Sequence, residues 1–312
     1  MINLLPFQNV QQINNSSIQT IKQSNSQGYP QINELPNYPI SFCSAQIQQH
    51  SKGSSPQVAK QLKALDGTLS EKLPKAKDII LKDMGLPSEL VECVDTDLGG
   101  KGYAAYSAPL GKILFDKNYC QRPDSEFSNE AVMCILRHEL DHMEVFAKLY
   151  KKLGGDEFEK LLPELYGENM PKVNHEFYKE MSKHVDIEGF DADKDVNAIK
   201  NYYKDANLDA KPYEKFTGIT KNFDNELENS ARDKQIQLES LMGVSTLKDF
   251  YSMIDETAKL TTEIKAKGIT DEKAVQETFD NLYEKAQKST GLEDKTPNWG
   301  KILKEARTLN NQ

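Results

Sequence analysis

From about Asn129 to Lys152 the sequence reads as one long helix, and this segment constrains the chain more than any other. Ile135, Val145, Phe146 and Leu149 recur at helical spacing and mark a face that must be covered. Ser128 stands where an N-cap belongs, and Gly154-Gly155 supplies the stop. Inside this helix lies His138-Glu139-Leu140-Asp141-His142. Residues four apart share a helix face, so the two imidazoles project together and can grip one ion. Glu139, about 100° further round the axis, stands close to that ion without having to bind it. Only five histidines occur in 312 residues, and two of them fall in this pattern.

Around the helix the composition changes sharply. Of residues 1–55, 26 are Asn, Gln or Ser, and only Lys22, Glu34 and Lys52 are charged. With prolines at positions 6, 30, 36 and 39, this stretch has too little apolar surface to offset the entropy of ordering, so a disordered tail is expected over residues 1–56. Beyond it, helical spacing places helices near 57–66, 71–84, 156–166, 172–184, 192–205, 221–241, 245–266, 271–288 and 299–308. Strand-like runs are confined to Leu90–Val94, Tyr103–Tyr106 and Lys112–Phe115, parted by Gly99-Gly100-Lys101-Gly102 and by Pro109 with Gly111. The expected class is α+β: mostly helical, with a small sheet beside the central helix. The expected organisation is a catalytic domain over 57–244 with C-terminal helices, 245–312, packed on it.

Several function classes are disfavoured at this level. The formal charge of −9 leaves no basic excess for a phosphate-binding face, so no nucleic-acid partner is expected. No apolar run is long enough to span a bilayer. The start lacks a basic n-region and a sustained apolar stretch, and the four cysteines contain no CxxC pair. The expected location is the cytoplasm, or outside the cell by a route needing no N-terminal signal. Asp191-Ala192-Asp193-Lys194-Asp195 has the alternating carboxylates of a Ca²⁺ loop, but Val196 replaces the required Gly and no Glu follows at the twelfth position. A helix N-terminus is the better reading there.

The HExxH segment resembles the active-site helix of the zincin metallopeptidases. That resemblance implies one Zn²⁺ held by His138 and His142, with Glu139 taking a proton from the metal-bound water and returning it to the leaving amine. The strand Gly111–Asp116 resembles the edge strand on which those enzymes lay an extended peptide. Catalytic zinc commonly takes a third protein ligand. The metzincin extension is excluded, because Val145 and Lys148 stand where its Gly and His belong. The gluzincin type takes a Glu from a later helix, and Glu228 with Ala231 resembles its E-x-x-A pattern. Glu226, preceded by Asn225, is the alternative, and His175 and His184 are the remaining candidates.

For the donor facing the developing oxyanion, Arg232 lies one turn after Glu228, and Tyr202, Tyr203 and Tyr213 qualify by chemistry. Arg232 is equally placed to brace a ligand or Asp141. Peptide deformylase also carries HExDH, and Glu92-Cys93-Val94 faintly resembles its Cys-ligand segment. There the order is reversed, and about 170 residues follow HExxH here. Cys43 in the tail reads as a free thiol, with an inhibitory zinc ligand as the alternative. The sequence therefore points to a zinc-dependent metallopeptidase acting on a peptide or protein. The alternatives are a non-catalytic helical interaction protein and a zinc hydrolase of a non-peptide amide.

Overall fold

The long helix is the axis on which the other elements are hung. A computed structural model describes residues 53–98, 103–117, 129–205, 210–292 and 298–312. Most of the expected tail, Cys43, the Gly99–Gly102 turn and the Ser128 cap lie outside the described residues. In chain order the described elements are α1 (Pro56–Lys63), α2 (Leu69–Met84), β1 (Glu92–Thr96), β2 (Ala104–Ser107), β3 (Lys112–Asp116), α3 (Asn129–Leu153), α4 (Gly155–Tyr166), α5 (His175–Met181), α6 (Ala192–Asp205), α7 (Pro212–Lys221), α8 (Glu226–Met242), α9 (Lys248–Ala266), α10 (Glu272–Thr290) and α11 (Trp299–Asn310). The protein is mostly helical α+β with one small mixed sheet, as its sequence implies.

Local chemistry accounts for where many of these helices begin and end. The Glu71 carboxylate accepts the Thr68 backbone N–H at 2.8 Å, closing the first turn of α2. Gly85, at φ 76°, ends that helix in the left-handed conformation. Asp191 caps α6 by accepting the Lys194 N–H at 3.1 Å, so the alternating carboxylates are a helix start, as expected.

The sheet departs from expectation in one consequential way. Its strand order is β1-β3-β2, with β1 parallel and β2 antiparallel to β3. The strand expected to be a substrate-bearing edge, Lys112–Asp116, is therefore the central strand, paired on both sides. The edge beside α3 is β2. Non-local pairing decides which strand is central, and no periodicity within either strand records it.

The hairpin joining β2 to β3 depends on Gly111. This residue sits at φ 66°, its N–H donates to the Ser107 carbonyl at 2.8 Å, and a Cβ placed on it would lie 2.4 Å from the Phe177 ring. Both the turn and the approach of α5 require the missing side chain.

Every residue of α3 from Ala131 to Leu149 is buried. The helix has α2 and β2 on one side, α8 on another, and α4, α5 and α6 around the remainder. The charged residues Arg137, Asp141, Glu144 and Lys148 are enclosed along with the apolar ones. A one-sided amphipathic stripe is thus too simple a reading of this helix.

Two further differences concern the second half. The segment expected to be helical from 221 is broken at Asn225, whose side chain accepts the Leu227 N–H at 3.1 Å and starts α8 afresh. No helix is expected at 212–221, where Thr217, Gly218 and Thr220 are weak helix formers. Tertiary packing makes one. Pro212 occupies its first turn, the Asp280 carboxylate of α10 accepts the Tyr213 N–H at 2.8 Å, and Phe216 packs against Phe279, Tyr283 and Trp299. Through α7, and through Phe223 against Phe250 and Tyr251, the last three helices meet the rest of the chain. Among the described residues no helix is long and apolar enough to cross a membrane.

Replacing Gly111 with Ala is expected to destabilise the fold by about 2–4 kcal/mol, combining left-handed strain with overpacking against Phe177. Gly268→Ala, at φ 87° with open space around it, is the comparison and should cost only the strain, about 1–2 kcal/mol. Urea unfolding of the two variants, read by far-UV circular dichroism, checks the difference.

Candidate metal centre

Two helices that are distant in sequence build the centre. Helix α3 supplies His138, Glu139 and His142, whose side chains are completely buried. Helix α8 supplies Glu228 from its first turn, where the exposed backbone N–H groups favour a carboxylate. The Asn225 side chain fixes that turn twice, accepting from Leu227 N–H and donating to the Ala198 carbonyl of α6 at 2.8 Å. The start of α8 is thereby pinned to a neighbouring helix.

The two imidazoles meet through Nε2 at 2.8 Å, with their rings edge to face. Glu228 lies against both, 3.5 Å from His138 Nε2 and 3.3 Å from His142 Nε2. Two nitrogen or oxygen ligands on a tetrahedral ion, each at about 2.0–2.1 Å, lie roughly 3.3 Å apart. Both histidine–carboxylate separations match that spacing. The imidazole pair is closer and must open by about half an ångström to share an ion. His138, His142 and Glu228 form a buried cluster able to hold a metal ion, and among the described residues no other such group occurs.

Charge within the cluster is strongly perturbed. Burial, reinforced by His142 alongside, lowers the His138 pKa to about 4, so this ring is neutral near pH 7. Burial acts on His142 in the same direction, but Glu228, with Glu139 and Asp141, outweighs it and holds that pKa above the ordinary value. Glu228 is the counterpart. Burial alone would raise its pKa, yet the two histidines hold it well below the usual carboxylate range. Without an ion, the carboxylate and the two rings steady one another, and binding an ion requires both rings neutral. The Nδ1 atoms of both histidines are buried with no hydrogen-bond partner among the described residues.

Glu139 is bound differently. One carboxylate oxygen, Oε2, accepts the Tyr106 backbone N–H from β2 at 2.6 Å. The other, Oε1, is buried and without a hydrogen-bond partner among the described residues. Burial raises its pKa to about 8, against the opposing pull of His142. Alternate residues of β2 turn their backbone groups away from β3, and Tyr106 uses that outward direction to hold Glu139.

The other candidates are distributed as follows. Glu226 points away and pairs with Lys194 at 2.8 Å. His175 bonds Glu159 at 3.2 Å, and His184 is exposed. Cys93 sits half-buried on β1, its thiol pushed up to about 12 by burial, and does not belong to the cluster. The Arg232 guanidinium donates to the Phe223 carbonyl and to Asn229, and it stacks on the Phe223 ring at 4.5 Å. Its charge still reaches His138, whose pKa it helps lower.

Of the three tyrosines, Tyr213 bonds Glu272 on α10, and the Tyr203 ring packs against Tyr166. Tyr202 and Tyr203 both feel the Glu228 charge, and burial with the Glu228 and Glu139 carboxylates holds the Tyr202 hydroxyl pKa far above the normal range. Sequence spacing could not select it. A tyrosine with an apolar ring surface reads as core whether or not its hydroxyl meets charge.

Comparison of the chain with protein-family models, with curated proteins and with solved structures returned no match.

The raised Glu139 pKa carries a stability consequence for the metal-free protein. The folded carboxyl binds its proton up to about pH 8, whereas the unfolded one releases it near 4.5, so folding stability falls as pH rises through that window. Glu139→Gln removes this loss. Its gain over the wild type should be small at pH 5, should grow to on the order of 4 kcal/mol by pH 8, and should then level off. Thermal unfolding of the chelator-treated proteins across that range measures the effect.

Proposed function

We propose that this chain is a zinc-dependent metallopeptidase of gluzincin type, with His138, His142 and Glu228 holding one Zn²⁺. The observation that carries the reading is the state of Glu139. A purely structural metal site has no use for a second buried carboxyl beside the ligands, its pKa moved toward neutrality and clamped through one oxygen only. A general base needs those properties: a pKa near the working pH, a fixed position and one oxygen left for the proton.

When bound, the ion would lower the pKa of a water molecule at its open position and polarise a peptide carbonyl. The chain's own residues do the rest. His138 and His142 present Nε2 as neutral rings, and Glu228 offsets the ionic charge. Glu139 is anchored by Tyr106 N–H, accepts the proton from water at Oε1 and delivers it to the leaving amine. Tyr202, which feels the Glu228 and Glu139 charges, would donate its hydroxyl to the developing negative charge, and Arg232 braces the turn that starts the ligand helix.

Complete burial of both histidines and Glu139 favours a second reading, a metal that ties α3 to α8 without chemistry. Structural zinc commonly has four protein ligands. Here the cluster supplies three.

Elemental analysis of the purified protein should find about one zinc per chain, lost in His138→Ala. The zinc-loaded protein should cleave unstructured casein. Glu139→Gln should keep the metal and lose at least about 10²-fold in rate. Stoichiometric zinc in a protein inert toward casein and toward formylated peptides would favour the structural tie. Cleavage of formylated peptides alone would favour the non-peptide amidase.

A further inference from the structure

Asp141 lies between the two ligand histidines in sequence but on an adjacent stripe of α3. Positions 137, 141, 144 and 148 are three or four residues apart and share one helix face. All four side chains are charged and almost entirely enclosed, at 0%, 0%, 9% and 6% exposure. Arg137 Nη1 stands 3.6 Å from Asp141 Oδ1, and Lys148 pairs with Glu144 at 2.7 Å.

This stripe faces α8. The Ser230 hydroxyl donates to Asp141 Oδ2 at 3.1 Å, and the Lys234 ammonium lies within reach of the Asp141 and Glu144 charges. Ser230 and Lys234, at 2% and 3% exposure, are as buried as the groups they meet. A continuous charged seam therefore runs between the two helices that carry the metal ligands. Buried charges tolerate sliding poorly, because each loses its partner while still shielded from water.

The Ser230–Asp141 bond occupies a particular place in that seam. Asp141 is the residue before His142, and Ser230 follows Glu228 by two. Of the cross-helix polar contacts described, it is the one closest in sequence to the ligands on both sides at once. A helix advances 1.5 Å per residue, whereas ligand distances at a metal tolerate only about 0.2 Å of error. Holding Glu228 opposite both imidazoles thus requires a nearby register lock.

We infer that Asp141 and Ser230 are positioning residues for the metal centre: their hydrogen bond sets the register of α8 against α3 and so holds Glu228 at the distance an ion requires. This rests on the cluster being a metal site. Neither residue touches the ion or a substrate, and both act through Glu228.

The test is metal affinity, measured on the full chain by competition with a chelator using Zn²⁺, and by Co²⁺ absorption as a report on ligand geometry. Ser230→Ala should weaken Zn²⁺ binding by about 10–100-fold and alter the Co²⁺ spectrum. Ser230→Thr, which keeps the hydroxyl, should restore both. Asp141→Ala, which removes the acceptor, is the second variant should Ser230→Ala fail to fold, and the same weakening is expected of it. Thr246→Val is the control for general destabilisation. It breaks a different buried network, Gln235–Thr246–Glu239, toward the far end of α8. It should lower thermal stability and leave metal affinity within about twofold. Unchanged affinity in Ser230→Ala or Asp141→Ala would overturn the inference while leaving the metal site intact, as would an equal loss in Thr246→Val. A wild-type chain that binds neither Zn²⁺ nor Co²⁺ would overturn the site itself.

Discussion

A buried carboxylate set against two buried imidazoles is the interaction on which the rest of this molecule turns. Glu228 is 6% exposed and both histidines are fully enclosed, so the desolvation of one helix's charge is offset in large part by groups on the other. That requirement ties α3 to α8 across some ninety positions of sequence. The capped start of α8, its attachment to α6 through Asn225, and the charged seam alongside all serve the same end. Each restricts where the Glu228 carboxylate can be.

The same enclosure gives the three acidic groups nearby different characters. Glu228, facing two nitrogen bases, stays ionised. Glu139, one turn away and held by a single backbone N–H, keeps its proton up to about pH 8. Asp141 accepts from a hydroxyl and stands near a guanidinium. Three carboxyl groups within one helix crossing thus meet three different environments, and the proposed roles of ligand, base and brace rest on that difference. The division is the physical content of the proposed activity.

How much of this could be read from sequence differs from feature to feature. The histidine pair was legible because i,i+4 spacing is a property of any helix and needs no tertiary knowledge. Glu228 was legible through its pattern with Ala231, and the structure separates it from Glu226 by pairing the latter with Lys194. The central position of β3 was not legible, since a strand carries no record of how many neighbours it has. Nor was the complete burial of α3. Nothing in the spacing of Arg137, Asp141, Glu144 and Lys148 records that a second helix with Ser230 and Lys234 is brought against them. Helix α7 went unread for a related reason, because its stability lies in Phe216 and in a carboxylate donated from α10. Tyr202 shows the same limit at the level of one side chain.

The most direct test of the central claim is X-ray absorption at the zinc edge on the purified, zinc-loaded protein. The account predicts a first shell of nitrogen and oxygen scatterers alone at about 2.0–2.1 Å, with the outer-shell pattern of two imidazoles. A sulfur scatterer at about 2.3 Å, or a shell without imidazole, would contradict it.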